Sequence, residues 1–108
     1  MSKPLRIDGD AEAELLEASL WYERERPGLG RLFLDEARHC VDAIRREPAI
    51  GSRVPGLSAT ARARRVLMRR FPYAVVFLEL RDEVRILAFA HSRRRPGYWR
   101  GRLLEEGR

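Results

Sequence analysis

The sequence is poor in cysteine, in lysine and in long apolar runs, and each shortage excludes something. A single cysteine among 108 residues, Cys40, cannot pair within the chain, so there is no disulfide framework. The longest apolar run, residues 73–78, is six residues long, against the roughly 20 that a membrane-spanning helix needs. No hydrophobic stretch precedes a cleavage-like site in residues 1–10, so neither secretion nor membrane insertion is expected, and a cytoplasmic location is. A metal centre is not expected either. The candidate ligands His39, Cys40 and His91 are few, and the first two are helix neighbours pointing about 100° apart. A chain of this length has room for one domain, residues 1–108, around one core.

Acidic residues are scarce in the second half. Residues 1–50 carry a net charge of −3 and residues 51–108 a net charge of +9, so the C-terminal half holds the whole positive excess. All but one of the 22 basic residues are arginine, the exception being Lys3. A GC-rich genome accounts for arginine over lysine. It does not account for the asymmetry, which fits a polyanion-facing surface.

The periodicity supplies the elements. Leu5 to Ile7 alternates and reads as a short strand. Asp8 and Asp10 are N-cap candidates for a helix over residues 11–25, in which Ala11, Leu15, Ala18 and Tyr22 form an apolar stripe that Leu16 and Leu20 broaden. The carboxylates Glu12, Glu14, Glu17 and Glu23 read as its solvated face. After Pro27-Gly28 a second helix lines up Phe33, Ala37, Cys40 and Ile44, and it ends at Glu47-Pro48. Residues 49–60 read as a loop, followed by strands over 65–69, 73–80 and 84–90, with residues 81–83 as a hairpin turn. The expected fold is α+β in two layers: an N-terminal strand, then an αα-hairpin packed on an antiparallel sheet.

The chemistry concentrates where the last strand ends. His91 is followed by Arg93, Arg94, Arg95, then by Tyr98 and Trp99, then by Arg100 and Arg102. Arginine forks suit phosphate oxygens, and exposed aromatic rings suit stacking on an unpaired base, a combination that points to nucleic acid. In the alternative, Pro96-Gly97 makes a turn, Trp99 packs back as a lid over the core, and the arginines are solvated. His91 is a possible general base, and equally a structural strand-end histidine. Gly28 and Gly30 lack the third glycine of a dinucleotide fingerprint and follow a helix, so no such cofactor is expected.

Four segments together resemble the RelE/ParE superfamily of bacterial type II toxins, over about residues 4–102. They are Glu14 to Ala18 with Trp21-Tyr22-Glu23; Pro27 to Gly30 leading into Phe33-Leu34; the strand Arg70-Phe-Pro-Tyr-Ala-Val-Val-Phe77; and Ile86 to His91 with the arginine-rich Pro96 to Trp99 tail. The resemblance implies a compact, cofactor-free toxin of the ParE or plasmid-stabilisation type, wrapped and neutralised by a cognate antitoxin. ParE-like members inhibit DNA gyrase. RelE-like members cut messenger RNA in the ribosomal A site with clustered basic residues and a C-terminal tyrosine.

Here Ala74 stands where the RelE pattern has an arginine, Arg93 matches a later basic position, and the tyrosine falls at Tyr98 or at Trp99. The resemblance thus implies target contact through Arg69, Arg70, Arg93, Arg94, Arg95, Tyr98 and Trp99. In the nuclease alternative His91, Arg93 and Tyr98 would be catalytic, with Arg69 or Arg70 compensating for the missing cation. Antitoxin docking is expected on apolar positions of the helical hairpin and the sheet edge. A plain nucleic-acid-binding module without toxicity is the third reading.

Overall fold

The computed structural model describes residues 3–54 and 62–105. Its elements are β1 (Leu5–Ile7), α1 (Gly9–Glu25), α2 (Leu29–Arg46), a 3-10 turn (Pro48–Ile50), β2 (Ser52–Arg53), β3 (Arg64–Leu67), β4 (Tyr73–Glu79), β5 (Val84–His91) and a closing 3-10 helix (Tyr98–Glu105). Five strands form one sheet in the order β1-β5-β4-β3-β2. The expected α+β architecture is present, with two differences. β1 joins the otherwise antiparallel sheet in parallel, Leu5 beside Val84 and Ile7 beside Ile86. Within the stretch read as a loop, Ser52 and Arg53 add a two-residue edge strand to β3, while residues 55–60 of that stretch lie outside the described residues.

The helical hairpin packs on one face of the sheet. Phe33, Ala37 and Ile44 of α2 and Ala11 and Ala18 of α1 meet Val75, Phe77, Val84, Ile86 and Phe89. Leu16 and Leu20 do not extend this buried stripe as expected: they are 59% and 50% exposed, Leu16 beside a shallow groove shared with Leu34 of α2 and Leu20 at the mouth of a pocket towards Tyr73 and Phe89. Tyr22, Phe33, Phe71 and Tyr73 stack edge to face at the end of this core. The opposite face of the sheet holds a second cluster, Val76, Leu78, Leu87 and Ala88, closed over by Trp99 of the closing helix.

A β-bulge sets which residues of β5 look which way. Val76 lies opposite Ala88 but Phe77 lies opposite Ile86, which leaves Leu87 as the extra residue. Leu87 and Ala88 therefore both join the second cluster, and the alternation reverses beyond them. Phe89 returns to the helix side, and His91 reaches the space beside α1.

Two acidic residues of α1 have left the solvated face assigned to them. Glu23 reaches across the hairpin and accepts the backbone N–H groups of Gly28 and Gly30 at 2.9 and 3.0 Å. It thereby caps the N-terminus of α2, whose own N-cap residue, Gly28, has no side chain to do so. The second is Glu14, described with the site. Asp8 stands at the N-cap of α1, yet its side chain makes no cap. It instead grips Arg85, a residue only 1% exposed, through two hydrogen bonds of 2.7 and 2.8 Å.

Close approach of the helices depends on Gly30, where an added Cβ would stand 2.4 Å from the backbone oxygen of Ser19. Backbone cannot swing aside as a side chain can, so Gly30→Ala forces the helices apart and disturbs the Glu23 cap. The expected cost is about 2–3 kcal/mol in a urea titration, whereas Gly9→Ala, with open space around it, should cost nothing comparable.

Candidate functional site

The arginine turn begins where β5 ends at the rim of the sheet, and the backbone fixes it on both sides. Ser92 N–H donates to Pro72 O at 2.8 Å, Arg94 N–H to His91 O at 3.0 Å, and Tyr98 N–H to Arg95 O at 3.1 Å. The Nδ1 atom of His91 accepts the N–H of Arg93 at 3.0 Å, so the neutral ring keeps its proton on Nε2. His91 also lies edge to face on Tyr73, with ring centroids 5.0 Å apart.

Glu14 is the anchor of the closing helix. Its carboxylate accepts four donors: a short hydrogen bond from Tyr98 Oη, the backbone N–H of Phe89 at 3.0 Å, and both terminal nitrogens of Arg102 at 3.0 and 3.1 Å. Arg102 also donates to Leu87 O at 2.8 Å, directly at the bulge. Above the Tyr98 ring lies the guanidinium of Arg94, 3.8 Å from the centroid. Burial first, then the hydrogen bond to Glu14 and its charge, hold the Tyr98 hydroxyl well above the ordinary phenol range, with Arg102 and Arg94 opposing in part. That hydroxyl is a committed donor, which does not suit proton transfer near neutral pH.

The candidate residues are therefore placed unequally. Arg94, Arg95, His91, Tyr98 and Trp99 come together along one groove of about 450 Å³ on the sheet face opposite the helices, with Arg65 joining them from β3. Its floor is apolar and includes Ala74 and Ala90, which lie side by side on β4 and β5. Trp99 is 3% exposed, so its indole serves as a lid over the second cluster and has no free face for stacking. Arg93 is exposed and lies outside the groove lining, as do Arg69 and Arg70 in the β3–β4 turn. Arg70 adopts a left-handed backbone conformation (φ 70°), unusual for a residue with a side chain, and its Nε sits 3.5 Å from Glu36 of α2.

Arg65 was not singled out from sequence, Arg102 was read only as one of the arginines of the C-terminal block, and Glu14 only as part of a solvated face. For Glu14 a signal existed. It lies three residues after Ala11 and four before Ala18, so a carboxylate stood inside the apolar stripe. Among the described residues no group of three or more His, Cys, Asp or Glu side chains could hold a metal. Burial pushes the Cys40 thiol up to about 11, away from thiolate chemistry. No helix among the described residues is long and apolar enough to cross a membrane.

The chain belongs to the ParE toxin family of type II toxin–antitoxin systems (parDE), whose family profile it matches over residues 5–96. Among solved structures it resembles a chromosomal ParDE toxin–antitoxin system from P. aeruginosa. That match has 19% identity and a TM-score of 0.70, and it covers 83% of this chain and 96% of the other. Among curated protein sequences none matches significantly. Family membership implies an antitoxin as partner.

The Tyr98–Glu14 contact generates a titration signature. Tyr98, Tyr73 and Tyr22 all have raised pKa values, each with burial as the leading cause. The unfolded chain ionises its tyrosines near pH 10, before the folded one does. Their contribution is therefore intact below about pH 10 and lost as pH rises through the folded values. Denaturant midpoints should be flat up to about pH 9 and then fall. Tyr98→Phe should flatten that alkaline limb, and at neutral pH should cost about 1–2 kcal/mol for the lost charged hydrogen bond.

Proposed function

We propose that this chain is a single-domain toxin that inhibits DNA gyrase by binding to it, breaking no bond itself, and that a cognate antitoxin neutralises it in the cytoplasm. The observation that carries this reading is the state of the would-be nuclease groups. Ala74 lines the groove where the RelE pattern has an arginine, the Tyr98 hydroxyl is bound to Glu14, and Trp99 is buried. Arg65, Arg94 and Arg95 line the groove, but Arg93, Arg69 and Arg70, the cations the nuclease reading calls on, do not. What is left exposed is a preorganised cationic edge, Arg93 and Arg95 projecting from a turn that Arg94 stiffens through its stack on Tyr98.

The antitoxin reading rests on the groove. No acidic residue occurs in residues 51–78 or 84–104, which supply most of its walls. An apolar floor with Arg65, Arg94 and Arg95 at the rim suits a segment that is apolar on one side and acidic on its flanks.

Purified protein should block supercoiling of relaxed plasmid by gyrase. Arg93→Glu/Arg95→Glu should lose that inhibition by tenfold or more while melting like the parent, since neither side chain is buried. In cells, thymidine incorporation should fall within minutes of induction while methionine incorporation holds. Gyrase unaffected by the folded protein, together with methionine incorporation collapsing first, would overturn the proposal in favour of an attack on translation.

A further inference from the structure

The outward side of α1 is apolar where a solvent-facing helix would be polar. Leu16, Leu20 and Trp21 are 59, 50 and 51% exposed, and Leu34 of the neighbouring helix 39%. Ala13, Leu16 and Leu34 border a shallow groove of about 490 Å³ between the two helices. Ala13, Leu16 and Leu20 also follow the alternating three- and four-residue spacing of a helix-pairing seam.

The charges beside this seam say what covers it. Asp10, Glu17 and Arg24 follow one another at heptad spacing along one flank, acidic towards the N-terminus and basic in the last turn. All three are exposed, and Asp10 pairs within the chain with Arg102, whose Nε stands 3.6 Å away. A helix with opposite charges at its two ends complements itself when reversed. The acidic segment that the basic groove across the sheet calls for would instead meet carboxylates here.

We propose that α1 pairs with α1 of a second copy of this chain, antiparallel about a two-fold axis. A two-fold contact is isologous, so each residue pair occurs twice. With the axis beside the middle of α1, Leu16 packs on the second copy's Leu20 and Leu20 on its Leu16. On the flank, each Asp10 faces the second copy's Arg24. Glu17, midway between them, faces its own counterpart, the one like-charge contact in the arrangement. The floor of the basic groove, with Ala74 and Ala90, lies on the other face of the sheet, whereas His91 and Arg94 share a pocket with Glu17, Leu20 and Arg24, so the seam runs beside that end of the turn. Arg93 and Arg95, on which the gyrase reading rests, do not line that pocket.

The test is sedimentation equilibrium of the full chain, refolded from denaturant, across micromolar concentrations. The expected mass is twice 12.6 kDa. Leu16→Glu/Leu20→Glu should return a monomer with an unchanged circular dichroism spectrum and melt. Asp10→Arg should raise the dissociation constant about tenfold, from two repulsive contacts per dimer, and adding Arg24→Asp should restore it. Glu17→Gln should tighten the dimer, a gain that a merely sticky apolar patch would not give.

A parent chain that stays monomeric overturns the proposal, and so does a dimer that survives Leu16→Glu/Leu20→Glu. Weakening by Asp10→Arg without recovery in the double swap overturns the antiparallel register. A monomeric parent whose antitoxin binding is abolished by Leu16→Glu would assign this face to the antitoxin.

Discussion

A charge held inside the sheet organises this molecule. Arg85 is almost wholly buried; its Nε and Nη2 donate to the two carboxylate oxygens of Asp8 and to the backbone oxygen of Arg102, while its buried Nη1 makes no hydrogen bond among the described residues. An isolated guanidinium in that position would cost several kcal/mol, and removing one partner from such a pair typically costs about 3–5 kcal/mol. The fold must therefore bring Asp8 and residue 102 to β5 before Arg85 can be buried. Apolar residues of the same volume would serve net stability as well, but they would not fix where β1 lies. With only three residues, β1 has little apolar area to hold its register. Asp8 directly after it and its own N–H bonded to Ile86 O make the parallel pairing single-valued.

The same requirement reaches the candidate surface through Arg102. Its carbonyl serves Arg85, while its guanidinium joins Glu14 of α1 to the bulged backbone at Leu87. Glu14 in turn holds Tyr98, and Tyr98 carries Arg94 on its ring. An unbroken series of charge-assisted contacts thus runs from the interior ion pair to the middle arginine of the turn. Arginine side chains lose conformational entropy when they are fixed on a target. A turn already bonded at His91, Pro72 and Arg95 leaves only the outer side chains, Arg93 and Arg95, to be ordered on binding.

What could be read from sequence followed the range of the forces involved. Helices α1 and α2 and strands β4 and β5 came from local periodicity, and they lie where that periodicity put them to within two residues. The two-residue strand β2 carries too little pattern to be seen. The bulge at Leu87 could not be seen either, because an unbroken run from Val84 to Ala90 looks the same whether or not the alternation reverses within it. The side chains that make the site rigid failed for a different reason. A glutamate on a helix is ordinarily solvated, and the partners that bury Glu14 lie 75 to 88 residues away in the chain. Trp99 was open between platform and lid, and the apolar cluster left bare by β4 and β5 decides for the lid.

The division of charge between the two halves of the chain becomes a division between surfaces. The acidic N-terminal half builds the helices, where carboxylates cap α2, neutralise Arg85 and anchor the closing helix. The basic half builds the strands and the turn, and residues 84–104 around Arg93 and Arg95 contain no acidic residue. Arginines at a groove rim accelerate encounter with an acidic partner, and physiological salt, with a Debye length near 8 Å, screens much of their reach. Affinity must then come from the floor. There Ala74 and Ala90 sit side by side, small enough to admit an apolar side chain that an arginine at residue 74 would exclude. Where the RelE pattern has an arginine, Ala74 thus leaves both a missing cation and a wider apolar floor.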